Sequence, residues 1–215
     1  MILKILYKQK KDIDNYRIIA NTEFKGGPSK VLELFNKKFD ALTDENLSKF
    51  IDGFINYNKI NLEETLENFK NSWKPVEERF INRMNGIFDY DFSLKKVTVY
   101  LTTNDRCSYC LDQWYFFLTV LSKRPKLIIM HELFHFYTHL IFKDGLAKLD
   151  RKQAYDIKES LVEILNLEFS DLMGGEDKGY NQHHELRKQV KKYWQEKKDV
   201  RYVFDKLTDK LIKAA

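Results

Sequence analysis

Residues 131–135 read His-Glu-Leu-Phe-His within an otherwise apolar stretch, and this H-E-x-x-H pattern constrains the fold more than any other feature of the chain. Two imidazoles four residues apart share one face on an α-helix, so the spacing predicts a helix through His131 and His135. On that face the two rings can hold one Zn²⁺, with Glu132 leaning over the water that the ion activates. A helix over 127–142 accommodates the motif, with Pro125 in its first turn and Gly145 as its stop.

Two histidines do not complete a catalytic zinc site, which takes three protein ligands and a water. His139 does not serve, because by that point the helix has risen about 12 Å from His131. The metzincin spacing puts a third histidine at position 141, and Ile141 stands there. Better placed are Glu159 and Glu163, at i and i+4 of a later helical segment that starts 24 residues after His135. Asp156 lies one turn earlier as a fallback ligand. Taken alone, Glu159 and Glu163 read as a helix face salt-bridged to Lys158 or Arg151.

H-E-x-x-H followed by a second helix with paired acids resembles the gluzincin class of zinc metallopeptidases, whose second helix bears E-x-x-x-D. The resemblance covers about residues 95–170. It implies a zincin-like fold, one Zn²⁺, and hydrolysis of peptide bonds with Glu132 as general base. Glu159 becomes the third ligand by this resemblance. Glu163, where the class usually has Asp, takes the part of the acid that fixes the tautomer of a zinc-binding histidine. The class also places a strand ahead of the zinc helix to hold an extended peptide by main-chain hydrogen bonds, and 97–103 or 114–121 fits that part.

Peptide hydrolysis further needs a donor for the developing oxyanion. Tyr180, His183 and His184 are candidates, since they follow a loop containing Gly174, Gly175 and Gly179 that could fold over a cleft. Tyr137 and Tyr155 are others, and Gln182-His183-His184-Glu185 also reads simply as the start of a helix. Peptide deformylase shares H-E-x-x-H, but its helix carries Asp where Phe134 stands, and its Gln and Cys motifs are absent. The second functional reading is a zinc-stabilised, catalytically inactive metallopeptidase-like domain that binds a protein partner.

Periodicity along the chain predicts an α+β, mainly helical protein with a small mixed or antiparallel sheet. Strands are expected at 2–7, 16–20, 95–103 and 114–121. The Gly26-Gly27-Pro28-Ser29 breaker leads to a helix capped by Ser29, and Thr43 caps the next. Further helical stripes run through Leu62–Trp73 and Val76 to Met84, ending near Asn85-Gly86. A long helical pattern over 150–173 stops at Gly174-Gly175, and two closing helices cover 184–195 and 199–211. The expectation is one domain over 1–215, with a soft seam near 86 between a mostly helical 1–90 and a zinc-binding 91–215.

Composition narrows the remaining classes. The net charge of +5 comes from 37 basic and 32 acidic residues, interspersed, so no nucleic-acid partner is expected. No apolar run approaches the roughly 18 residues of a membrane span, and the first residues lack a signal-peptide pattern, so a cytoplasmic protein acting on a peptide or protein substrate is expected. Cys107 and Cys110 form a lone C-x-x-C with no second pair, which predicts reduced structural thiols. Oligomeric state is not specified by the sequence.

Overall fold

The computed structural model describes residues 2–22, 27–92 and 95–213; Gly26 of the 26–29 breaker lies outside them. The protein is α+β and mainly helical, with one small mixed sheet. It divides into two compact units, Met1–Pro75 with Leu94–Pro125 and Val76–Ser93 with Lys126–Ala215. No helix among the described residues is long and apolar enough to cross a membrane.

The first unit holds β1 (Ile2–Tyr7), α1 (Gln9–Ala20), α2 (Lys30–Asn36), α3 (Asp44–Tyr57), α4 (Leu62–Trp73), β2 (Lys96–Thr102), β3 (Tyr109–Cys110) and β4 (Tyr115–Thr119). The strand order is β1-β2-β4-β3, with β1, β2 and β4 parallel and β3 antiparallel to β4. In β2, Val97, Val99 and Leu101 are buried, while Thr98 and Tyr100 between them are half-buried, the alternation of a strand with one face on a core. Ser29, Thr43 and Asn61 each accept a backbone N–H at the start of α2, α3 and α4.

The strand expected at 16–20 is the second half of α1. Ile18 and Ile19 have the β-branched look of a strand, but the buried residues are Asp12, Ile13, Asn15, Tyr16 and Ile19, which is helical spacing. Two of these are polar, and they hide the stripe from a reading of apolar residues alone. Asp12 accepts from Thr102 Oγ1 (2.5 Å), the Thr103 backbone N–H (3.1 Å) and Thr103 Oγ1 (2.9 Å). Asn15 donates to Thr102 Oγ1 and the Arg106 carbonyl, and accepts from Ser108. This network fastens α1 to the end of β2.

The second unit holds α5 (Glu77–Phe88), α6 (Pro125–Leu146), α7 (Arg151–Leu161), α8 (Glu163–Glu168), α9 (Ser170–Met173), α10 (His184–Lys197) and α11 (Val200–Lys213), with a 3₁₀ turn at Asn181–His183. α6 is its central helix. Leu127, Ile129, Met130, Leu133, Phe134, Phe136 and Tyr137 are all buried, so apolar surface runs round most of its circumference. Phe88 meets Phe134 and Tyr137 edge-on or tilted, and Phe92 stacks on Tyr137 at 4.3 Å.

Gly145 does not stop α6. The helix bends at Phe142 (φ −111°, ψ 16°) and continues to Leu146. A Cβ at Gly145 would sit 2.7 Å from the Phe204 ring, which stacks on Phe142 at 4.1 Å, so the glycine allows close packing of α11. The pattern over 150–173 is three helices, broken at Val162 and at Phe169 (φ −128°, ψ 14°) and ended by Gly174 in the left-handed region. Both α7 and α8 pack on α10, and α7 also carries Glu159 to the histidines of α6.

Candidate metal centre

α6 brings His131 and His135 to one face, and the capping box of Asp150 and Gln153 starts the helix that returns Glu159 to them. The three candidate ligands come together. The Nε2 atoms of His131 and His135 are 2.9 Å apart; Glu159 Oε2 lies 3.6 Å from His131 Nε2, and Glu159 Oε1 lies 3.2 Å from His135 Nε2. Tetrahedral bonds of about 2.0–2.1 Å put neighbouring ligands about 3.3 Å apart, so these spacings bracket those of a small divalent cation. His131, His135 and Glu159 form a group that could hold a metal ion. His135 and Glu159 are 2% and 7% exposed, so the group is closed from behind.

The electrostatics show what such a cluster lacks. Burial pushes His131 down, yet the Asp177 and Glu159 carboxylates outweigh it and raise its pKa to about 10. His135 is pushed down to about 3, chiefly by burial and then by the charge of Lys158. Burial favours a neutral Glu159, but the two imidazoles override it and hold the carboxyl far below its ordinary range. A proton on His131 thus supplies the positive charge that three converging acceptors require. An N, N, O donor set of this kind could hold a divalent metal ion.

Glu132 is half-buried beside the ligands, and burial raises its carboxyl above the usual range. Its Oε2 is shielded from solvent and has no hydrogen-bond partner among the described residues. A carboxyl oxygen left without a partner at the edge of a metal-binding group is placed to exchange protons.

The acid expected to support a histidine was Glu163, but its carboxylate meets Arg187 Nε at 2.8 Å and Asn166 Nδ2 at 3.1 Å. The carboxylate against His131 is that of Asp177, whose Oδ2 accepts from Nδ1 at 2.7 Å. That bond fixes the tautomer and leaves Nε2 directed at the other ligands. The His131 hydrogen bond holds the buried Asp177 carboxyl down at about 2, against the upward push of burial.

Asp177 is itself closely held. Its backbone N–H and C=O bond Asn166, its Oδ1 accepts from the Gly179 N–H, and Arg187 reaches both Oδ1 (3.1 Å) and its carbonyl (2.6 Å). Gly179 has φ +59°, and a Cβ there would lie 2.4 Å from Arg187 Nη1. Glu163 is thus joined to His131 only through two intermediaries, Arg187 and Asp177. The Asp177-Lys178-Gly179 turn was the sequence signal for this support, but its distance along the chain from His131 hid the connection.

The candidates for oxyanion donor sit differently. His183 is buried, and its Nε2 lies 3.0 Å from Asp156 Oδ1, pairing it with the fallback ligand. The Tyr155 and Tyr180 rings flank His183 at 5.5 and 5.9 Å, and Tyr180 itself is largely exposed. Tyr137 donates to Asn85 in the aromatic core at 2.6 Å. His184 is exposed and His139 half-buried. Cys107 and Cys110 are half-buried and lie in the first unit. Lys158, adjacent to Glu159, is buried with its Nζ 3.4 Å from Glu159 Oε1.

Compared with models of known protein families, with curated proteins and with solved structures, the chain matches none.

Proposed function

We propose that the protein is a zinc-dependent peptidase of gluzincin type, with His131, His135 and Glu159 as ligands and Glu132 as general base. The observation that carries this reading is the convergence of the two H-E-x-x-H imidazoles and Glu159 at ligand spacing, with the partnerless Glu132 oxygen beside them. A purely structural metal site has no use for such a group, which favours the enzyme over an inactive binding domain.

A divalent zinc ion in such a site supplies Lewis acidity, lowering the pKa of water toward neutrality and polarising a carbonyl. The chain's own residues do the rest. Asp177 accepts the Nδ1 proton of His131, so the Nε2 lone pair is presented to the ion. Glu132 takes a proton from the attacking water as its oxygen adds to the scissile carbonyl carbon. It then gives that proton to the amide nitrogen as the C–N bond breaks, releasing an amine and a carboxylic acid.

The test is peptide-library cleavage by zinc-loaded protein, with chelator-treated and Glu132→Gln controls. Cleavage is expected to fall roughly 10²–10⁴-fold in Glu132→Gln with zinc still bound. Stoichiometric zinc with no cleavage by either form would instead favour the metal-stabilised binding domain.

A further inference from the structure

We propose, on the peptidase reading, that Lys158 is the electrophilic partner of the metal, its ammonium donating to the oxyanion that forms on the substrate carbonyl. Lysine is among the residues least often buried, yet the Lys158 side chain is only 9% exposed. Its Nζ lies over the Tyr155 ring, 5.7 Å from the centroid, and 3.4 Å from Glu159 Oε1. That separation exceeds the usual range of an N–H···O hydrogen bond, so the contact is one of charge.

Two considerations separate this role from simple neutralisation of Glu159. Glu159 already has both imidazoles at hand, and a divalent ion between them satisfies its charge. In that state a buried ammonium next to the ion is repelled by it, which lowers metal affinity and gives a mere holding site no benefit. The arrangement becomes favourable once an anion joins the pair, as when a carbonyl oxygen acquires negative charge during hydrolysis. A preformed cation in a water-poor position stabilises such charge without reorganising.

The second consideration is placement. Lys158 follows the register of α7 next to a ligand, so the same helix that fixes Glu159 fixes the base of the lysine. The ammonium carries three donors and no acceptor, which suits it to an oxyanion and excludes a role as a ligand while it stays charged. The residues first considered as donors lack this combination, His183 being engaged with Asp156 and Tyr180 exposed.

The experiment uses full-length Lys158→Met, with Lys158→Gln as a second neutral variant should the first fail to fold. Zinc affinity is read by competition with a chromogenic chelator. Binding of inorganic phosphate, a tetrahedral oxyanion, is read from the visible spectrum of the cobalt-loaded protein. Zinc affinity is expected to stay equal or rise severalfold, while phosphate affinity falls at least tenfold and kcat for a cleaved peptide falls with little change in KM. Weaker zinc binding would make Lys158 a prop for Glu159 and overturn the proposal, as would unchanged phosphate affinity. Phosphate discrimination by Lys158 without cleavage of any peptide would uphold the anion site while removing the peptidase reading.

Discussion

Both units bury a carboxylate among polar partners, and the partners differ in kind. Around Asp12 every neighbour is a donor: two threonine hydroxyls, a backbone N–H and, at 3.5 Å, the Tyr7 hydroxyl. Around Glu159 the neighbours are two imidazole nitrogens, directed at the same space as the carboxylate oxygens, and the Lys158 ammonium at 3.4 Å from Oε1. The first arrangement is complete as it stands, and on the proposed reading a metal ion completes the second. Burial of charge therefore does not itself mark a site. What marks it is convergence of acceptors that the protein alone leaves in competition.

The largest effect that tests this contrast is loss of a ligand. His131→Ala, His135→Ala and Glu159→Ala are each expected to weaken zinc binding by more than the roughly 10–100-fold typical of a supporting residue. Chelator competition measures this, and full zinc occupancy in Glu159→Ala would dissolve the proposed site. The same substitutions are expected to leave the Asp12 network unaffected.

Next in size is pH dependence, which has opposite sign in the two regions. Burial pushes the Asp12 carboxyl up to about 6, against its hydrogen bonds, so the folded protein holds this proton more tightly than the unfolded chain. The resulting stabilisation is full below about pH 4 and is lost as pH rises through about 6, amounting to about 3 kcal/mol. Denaturant titrations of metal-free protein between pH 4 and 7 should show this slope, flattened in Asp12→Asn. Metal binding runs the other way: zinc must displace the proton that His131 holds up to about pH 10, so its apparent affinity climbs with pH.

A smaller effect is expected from Asp177→Asn, about 10–100-fold in zinc affinity with Glu159 still bound. Smallest is Gly179→Ala, which forces a left-handed residue against Arg187 and should cost about 1–2 kcal/mol in thermal or chemical unfolding. If Gly179→Ala weakens zinc binding as well, the loop and the ligands form one cooperative unit.

Much of this was legible in the sequence where periodicity and chemistry coincide. The helix through His131 and His135, the returning Glu159, the β2 alternation and the caps at Ser29 and Thr43 follow from spacing and residue type. The α1 helix was misread because its buried stripe includes Asp12 and Asn15, which count as solvent-facing in any hydrophobic pattern. The breaks at Val162 and Phe169 carry neither glycine nor proline, so tertiary packing decides them. Asp177 escaped notice because a loop residue has no period, and only the fold brings it to His131.

The Arg187 clamp has a consequence for how the protein is made. Ribosomal synthesis releases the chain from its N-terminus, so His131, His135 and Glu159 emerge before Asp177, and all of them before Arg187. A nascent chain therefore owns its ligands while the arginine that steadies Asp177 is still inside the ribosome. On the proposed reading, full-strength metal capture then waits for α10 to emerge and fold back, which makes loading of the site a late event in the protein's biogenesis.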